Sequence, residues 1–455
     1  MNQIKKAKFW GSSRILIFSF LSIILAGTVL LMLPHAVHGD SLSFIDALFT
    51  STSATCVTGL IVVDTGSRFT LFGQIIILLL IQLGGLGIMT FSTFFIFLII
   101  GKFSLSDRDV IQETLTQSPI KNITGLLKTI FIFTISIEVI GGLLLTLCFL
   151  DQMPLKKASY YGIFHSISAF CNAGFSLLPN SFVDYQGTWS INLILMVLIV
   201  LGGIGFVVLN EFKRFLFKKE KQFRSSFSFH SKIALIITSI LIVTGALIIY
   251  LFEHHNVLTN KPLQTKLLIA LFQSVTSRTT GFNTVDISSL TNASLFFIII
   301  LMFIGASPGS CGGGIKTTTA GVVFAMLVAR FQNRDEVNIA NRRIPNNIVS
   351  KAISVTFLSI VIIMLLTTLI VEVERAGISH QESRGLFLEL LFEVVSAFGT
   401  VGLSTGLTSG LSAAGKFIII LAMFVGRLGP LTIALAIGKK EYPRFKYAQE
   451  NLLVG

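Results

Sequence analysis

The chain repeats one short motif four times. Each copy is a short run, rich in Ser, Thr and Ala residues, that ends in a glycine followed by a large apolar residue. The four glycines recur at nearly equal intervals, at Gly59, Gly174, Gly281 and Gly402. A single copy is typical of a turn after a short helix, but regular recurrence indicates an internal structural repeat. The sequence therefore predicts four similar units that share one role.

The segments between the motifs are strongly apolar. Of 455 residues, 53% are hydrophobic and 13% are charged, whereas a soluble domain carries about 25% charged residues. Apolar runs near the length that crosses a bilayer recur along the chain. We therefore predict an all-α polytopic membrane protein.

Each repeat has the same order of segments: a long apolar segment, a shorter one, the glycine motif and a second long one. The shorter segments cannot cross a bilayer and are typical of re-entrant half-helices. The sequence thus predicts four tandem span–pore helix–span repeats, with eight transmembrane helices around a pseudo-fourfold pore. The spans are expected at 15–33, 71–100, 124–150, 190–217, 233–252, 293–330, 349–371 and 416–437, and the half-helices at 43–56, 159–171, 266–277 and 385–398.

As domains, the repeats are predicted at 1–101, 102–218, 219–335 and 336–437, before a cytoplasmic tail at 438–455. Most of the 35 Lys and Arg residues lie at the termini and between repeats. Cytoplasmic loops carry such an excess of basic residues, so both termini are expected in the cytoplasm. This distribution explains the net charge of +13 without a nucleic-acid partner. The four cysteines show neither metal-ligand spacing nor a disulfide framework.

The glycine motifs are predicted to bind a dehydrated cation. A half-helix directs the negative end of its dipole at the motif that follows it. Glycine permits the backbone angles that turn carbonyl groups toward a common axis, where they replace the hydration shell of potassium. The predicted filter residues are Val57, Thr58, Gly59, Asn172, Ala173, Gly174, Thr279, Thr280, Gly281, Thr400, Val401 and Gly402.

A glycine-rich segment at 305–314 interrupts the apolar stretch after the third motif. Its glycines and Pro308 prevent a stable helix. The segment is similar to a phosphate-binding loop, but Ile315 separates Gly314 from Lys316. Its place within an apolar stretch also argues against a nucleotide site.

These motifs resemble the Ktr/Trk/HKT superfamily of potassium transporters, over essentially the whole chain. The matching stretches are 46–50, 57–60, 172–175, 278–283, 312–316 and 396–403. Eight spans without an additional N-terminal helix pair are similar to the bacterial KtrB/KtrD membrane subunits. Plant relatives that favour sodium commonly carry serine at the first filter glycine, so Gly59 favours potassium.

The resemblance implies potassium uptake, often stimulated by sodium, across a bacterial plasma membrane. It also implies a homodimer on a cytosolic ring of KtrA/KtrC-like regulatory subunits that hold the nucleotide. No covalently bound cofactor is expected, and no metal beyond the transported K+. The tail 438–455 would pack at the dimer interface. The segments 102–122, 213–232 and 330–348 would either dock the ring or face anionic lipids.

The resemblance further implies a gate below the filter. In that interpretation the 305–314 loop obstructs the pore, and Arg427 is an electrostatic and steric barrier. The alternative is a structural arginine that bonds backbone carbonyl groups. At the positions of Pro308 and Gly309, some KtrB members carry small polar residues. The chain could therefore be a KtrD-like or a sodium-associated paralogue. The predicted gate residues are Gly309, Ser310, Cys311, Gly312, Gly313, Gly314, Lys316 and Arg427.

The sequence allows two roles for several titratable residues. Glu138 is either a pore ligand or the partner of a basic or backbone group, and His165 is expected to pack. Acidic residues near the motifs either steer cations or brace loops: Asp64, Asp184, Asp286, Glu389 and Glu393.

The sequence disfavours two other classes of protein, enzymes and secondary transporters. The chain carries no recognisable catalytic motif, so we expect no enzyme. A cation-coupled secondary transporter with a midplane site is disfavoured by four parallel repeats.

Overall fold

The computed structural model describes residues 12–87, 123–217, 227–375 and 385–437. Within these ranges the secondary structure is helical, apart from a two-stranded antiparallel hairpin formed by β1 (Asn338–Ile339) and β2 (Arg342–Arg343). The prediction of an all-α fold is confirmed.

The described residues of each predicted repeat contain three or four helices of eight residues or more. The first repeat contains α1 (Ser12–Leu31), α2 (Phe44–Thr55) and α3 (Leu71–Leu86). The second contains α4 (Ile123–Phe149), α5 (Leu155–Phe170), α6 (Trp189–Gly203) and α7 (Phe206–Phe217). The third contains α8 (Phe229–Glu253), α9 (Leu263–Thr276), α10 (Asn292–Phe303) and α11 (Thr317–Phe331). The fourth contains α12 (Asn346–Glu374), α13 (Leu386–Gly399), α14 (Ala413–Leu428) and α15 (Pro430–Ile437).

Three of these helices are long and apolar enough to cross a membrane without a break, at Lys128–Phe149, Phe229–Glu253 and Asn346–Glu374. Shorter apolar helices accompany them, among them α3 and α10. The chain is therefore a multi-pass membrane protein. The half-helices α2, α5, α9 and α13 lie within a few residues of the predicted positions.

The predicted second spans of the second, third and fourth repeats are not continuous helices. The span expected at 190–217 bends by 104° between α6 and α7, where Gly205 has a φ of 95°. The span expected at 416–437 is interrupted at Gly429, which has a φ of 83°. Non-helical residues at 304–316 separate α10 from α11. Part of the span expected at 71–100 lies outside the described residues, which end there at Gly87.

The helices form a closed ring of four units. The second-span helix of each repeat packs against the half-helix of the next repeat: α3 against α5, α6 against α9, and α10 against α13. The last contact, of α14 with α2, returns from the fourth repeat to the first. An ion pair of 2.7 Å between Lys416 and Asp46 joins the same two repeats.

Glycines allow the second spans to touch the ends of the half-helices of their own repeats. A Cβ atom placed on Gly202 would lie 1.8 Å from the carbonyl oxygen of Phe170, and one on Gly426 would lie 1.8 Å from that of Phe398. On Gly84 it would lie 1.9 Å from the carbonyl oxygen of Thr55. Because backbone atoms occupy the space, no side chain fits at these three positions.

We predict that Gly202→Ala lowers the free energy of unfolding by roughly 1–3 kcal/mol, because the methyl group forces α6 away from α5. Thermal unfolding of the purified protein in detergent measures the effect. Gly142→Ala is the matched control, since a Cβ there meets Ile163 at an ordinary 3.4 Å. Equal melting temperatures for the two variants would contradict the packing account.

Candidate functional site

The four motif glycines meet in a second, inner ring. All four have positive φ angles, between 69° and 92°, a region that favours glycine. A Cβ atom on each would strike the carbonyl oxygen that precedes the glycine of another repeat. The distances from the added Cβ atom to the carbonyl oxygen are 2.4 Å for Gly59 and Ala173, 2.1 Å for Gly174 and Thr280, 2.5 Å for Gly281 and Val401, and 2.0 Å for Gly402 and Thr58.

Three of the four loops share one backbone conformation. Two residues before the glycine, Val57, Asn172 and Thr400 lie in the left-handed region, at φ angles of 57°, 59° and 50°. Thr279, at the same place in the third loop, is not among the described residues with positive φ. The third loop is therefore built differently from the others.

A serine holds the loop in the same three repeats. The hydroxyl of Ser53 accepts a bond from the amide of Gly59 (3.1 Å) and donates to the carbonyl of Leu60 (2.7 Å). Its backbone carbonyl accepts from the amide of Thr58 at 2.8 Å. Ser168 and Ser396 stand at the same place in the second and fourth motifs and make related bonds.

The third loop lacks this serine, because Val275 occupies the position. The amide of Thr280 instead bonds the carbonyl of Thr276 at 3.0 Å, which continues the turn of α9. The side chains of Thr279 and Asn172 lie 2.6 Å apart and link the third loop to the second.

Two buried side chains brace the segments that follow the loops. Glu393 accepts bonds from the amide of Thr405 (2.8 Å) and the hydroxyl of Ser404 (2.7 Å). His165 contacts the carbonyl of Tyr161 at 2.7 Å and the amide of Leu177 at 3.2 Å. Glu393 therefore has a bracing position, and of its two interpretations the steering one is not supported.

The glycine-rich segment after α10 fills the bend between α6 and α7. The amides of Ser307 and Cys311 bond the carbonyls of Gly203 (3.0 Å) and Gly202 (3.2 Å). The amide of Phe206 bonds the carbonyl of Gly309 at 2.8 Å. The break between α6 and α7 leaves backbone groups without helical partners, and the glycine-rich segment bonds them. The same bonds satisfy backbone amides and a carbonyl of the segment itself.

The same segment touches the filter loops. The amide of Gly313 bonds the hydroxyl of Thr400 at 2.8 Å. A Cβ atom on Gly312 would lie 2.5 Å from Thr279, and one on Gly313 would lie 2.5 Å from the hydroxyl of Thr400. The segment therefore lies directly against the third and fourth glycine loops.

Two basic side chains hold the segment. Lys316 donates to the carbonyl of Gly312 at 2.6 Å. Arg427 donates to the carbonyl of Cys311 in the segment and to that of Gly84 at the end of α3. The carbonyl contacts expected of a structural arginine are thus present, and they join the fourth repeat to the first and the third.

Glu138, on α4, contacts Gln82 and Cys171. Its carboxylate accepts from Gln82 at 3.3 Å and lies 3.7 Å from the thiol of Cys171. Its backbone carbonyl accepts from Ser166 at 2.7 Å. Neither of these carboxylate contacts is with a basic or a backbone group, the partner that the second interpretation names.

The sequence did not indicate the bracing roles of the serines or His165, and for Glu393 bracing was one of two interpretations. For the serines a signal existed, since Ser53, Ser168 and Ser396 open three of the four motifs. For His165 and Glu393 no local pattern shows the partners, which lie in the segment beyond each loop.

Comparison with known proteins agrees with this geometry. The model of the family described as "TrkH: Cation transport protein" matches residues 6–447. The chain belongs to this TrkH cation transport family.

Individual relatives in the family cover nearly the whole chain. The chain is 41% identical to Ktr system potassium uptake protein B of Bacillus subtilis (strain 168), over 99% of this chain and 98% of that one. It is 38% identical to Ktr system potassium uptake protein B of Vibrio alginolyticus, over 98% and 95%. It is 35% identical to potassium/sodium uptake protein NtpJ of Enterococcus hirae, over 96% and 95%.

Among solved structures, the potassium transporter TrkH from Vibrio parahaemolyticus has the same fold. The TM-score is 0.70 at 18% identity, over 94% of this chain and 84% of that one.

We predict that Ser53→Ala exposes the first loop. The loss of two hydrogen bonds should make the amide of Gly59 exchange with solvent roughly thirtyfold faster, since each bond contributes roughly 1 kcal/mol. Hydrogen exchange with mass spectrometry measures the rate. Ser159→Ala is the control, because that exposed hydroxyl bonds only Leu155 within its own helix, at 2.7 Å. Equal exchange in both variants would contradict the bracing role.

Proposed function

We propose that this chain is the ion-translocating subunit of a Ktr-type potassium uptake system. The closed ring of four glycine loops carries this proposal. Its relatives are named potassium uptake proteins and match over nearly their full length, which supports the same cargo here.

The oxygen atoms of the ring are suited to a dehydrated cation. Among the hydrogen bonds of the described residues, none ends on the carbonyl oxygens that precede the four glycines. Thr58 and Thr280, in opposite repeats, also have buried hydroxyls without a partner. Buried polar groups normally find partners, and a potassium ion held by the ring would supply one.

The half-helices supply the electrostatics. Each of α2, α5, α9 and α13 ends at its loop, so the partial negative charge of its C-terminus faces the ring. The predicted filter positions contain no carboxylate. A cation would therefore be stabilised by dipoles, which bind it weakly enough to release it.

The segment 305–314 is proposed as the gate. It lies against two filter loops and has no side chains at Gly312, Gly313 and Gly314, so it can change shape at low steric cost. Arg427 would add a positive charge and would hold the segment through Cys311. Activation would release these contacts and open the path.

The regulatory partner and the assembly are proposed from the relatives. A membrane subunit of a Ktr system implies a regulatory component. We propose a homodimer on a cytosolic nucleotide-binding ring, with both termini in the cytoplasm of a bacterial cell and sodium as an activator. The chain itself would bind no nucleotide.

A second candidate is a transporter that also carries sodium. The identity of 35% to potassium/sodium uptake protein NtpJ favours it. Uptake of labelled sodium at low potassium would separate the two: a saturable sodium flux supports the second candidate, and its absence supports selective potassium uptake.

We predict that Gly402→Ser abolishes growth rescue at low potassium in a strain without its own uptake systems. Serine would bring its Cβ to 2.0 Å from the carbonyl oxygen of Thr58 and would adopt an unfavourable positive φ. Growth and rubidium uptake are the measurements.

Gly410→Ser is the matched control for this variant. Gly410 lies in the same repeat, and no heavy atom lies within 4 Å of a Cβ placed there. Rescue by this variant and by the intact chain, but not by Gly402→Ser, is expected. Equal rescue by all three would contradict the filter.

We predict that Arg427→Ala and deletion of 309–314 both raise the rate of potassium flux severalfold in proteoliposomes, because each removes an obstacle below the ring. Arg330→Ala, at an exposed arginine paired with Asp335, should leave the flux unchanged. Unchanged flux in the deletion would show that the segment is not a gate.

A further inference from the structure

The third filter loop contains a buried arginine where the other loops have small residues. Three positions before the glycine, the first, second and fourth loops carry Cys56, Cys171 and Gly399, whereas the third carries Arg278. The side chain of Arg278 is 7% exposed. A charged group of this size is costly to bury at membrane depth, so its contacts require an explanation.

The guanidinium reaches two other elements. Its Nη2 atom lies 3.5 Å from the hydroxyl of Thr238 on α8 and 3.5 Å from the carbonyl oxygen of Gly305. Gly305 opens the glycine-rich segment, so one side chain connects the third filter loop to the start of the proposed gate.

This connection is not reinforced by an ion pair. Among the described residues, no carboxylate pairs with Arg278, and its Nε atom has no partner. A cavity of about 10 Å³, bounded also by Thr279 and Gly203, adjoins the side chain. Such a cavity has room for about one water molecule. The guanidinium can therefore exchange its partners without repacking of the core.

The third loop depends on the contacts of Arg278 more than the other loops depend on the residue at that position. Ser53, Ser168 and Ser396 tie their loops to their half-helices, but Val275 cannot. The third loop is also the one that Gly312 approaches through Thr279. A movement of the glycine-rich segment would therefore reach this loop directly, as it would reach the fourth loop through Gly313 and Thr400.

We propose that Arg278 is a positioning residue that couples the third filter loop to the glycine-rich segment. It holds Gly305 against the back of the loop, with Thr238 as the fixed point on α8. Release of the segment would then loosen the third loop most, because that loop lacks the serine that braces the other three. This inference rests on the proposed gate, but the contact itself is testable without transport.

The experiment uses Cys311, a buried thiol within the segment, as a reporter. The intact chain is treated with an isotope-coded maleimide, and mass spectrometry measures the modification of each cysteine. Arg278→Met should raise the labelling rate of Cys311 about tenfold, because a hydrogen bond to a charged group is lost. Arg278→Lys should give an intermediate rate, because lysine lacks the planar fork of donors. Cys148, partly exposed on α4, should keep its rate.

Thr238→Val supplies a milder variant that removes only the fixed point. It should raise the labelling of Cys311 by a smaller factor and should add nothing in the Arg278→Met background, since both changes break one interaction. Thr244→Val is its matched control on the same helix, where the hydroxyl bonds only Ile240, at 2.7 Å.

An unchanged rate at Cys311 in Arg278→Met, with Cys148 and the melting temperature unchanged, would overturn the proposal. If that variant loosens the whole protein, Thr238→Val decides: faster labelling supports the coupling, and the wild-type rate overturns it. Rubidium uptake by the intact chain is measured in parallel. Its absence would refute the proposed function alone, because the labelling result does not depend on transport.

Discussion

Backbone groups that leave a helix within a membrane protein must find partners inside the protein, and this requirement shapes both parts of the candidate site. In three of the glycine loops an amide bonds the backbone carbonyl of a serine on the half-helix, for example the amide of Thr58 that of Ser53. The amides of the glycine-rich segment bond the carbonyls freed where α6 ends, at Gly202 and Gly203. Among the hydrogen bonds of the described residues, none ends on the carbonyl oxygens that precede the four motif glycines. A pore for a dehydrated cation requires this distribution of bonded amides and free carbonyls.

The fourfold arrangement is closed, but its parts are not equivalent. The contacts of α14 with α2 and of Lys416 with Asp46 close the ring between the last repeat and the first. The third repeat departs from the others at each level. It lacks the serine, its loop lacks the left-handed residue before the glycine, and its second span is interrupted by the longest loop. The departures cluster where the glycine-rich segment meets the ring, so the asymmetry of the ring coincides with the segment that is proposed as the gate.

The helical fold and the positions of the half-helices could be predicted from the sequence, because each half-helix has a characteristic length and leads into a glycine motif. The bends at Gly205 and Gly429 were not predicted, since the apolar runs continue across both glycines and hydropathy does not record a φ angle. Pairings such as those of Glu393 and Arg278 depend on residues that are distant in sequence or lie in another element. The repeat boundaries and the roles of the filter residues remain predictions.

The most direct test of the account is the position of a heavy-atom potassium analogue in the protein. Crystals grown with thallium(I) or rubidium, measured at the absorption edge of the ion, would show where the cation binds. The account predicts anomalous density on the axis of the inner ring, within coordination distance of the carbonyl oxygens of Thr58, Ala173, Thr280 and Val401. Density only at carboxylates such as Glu138, with none on that axis, would contradict it.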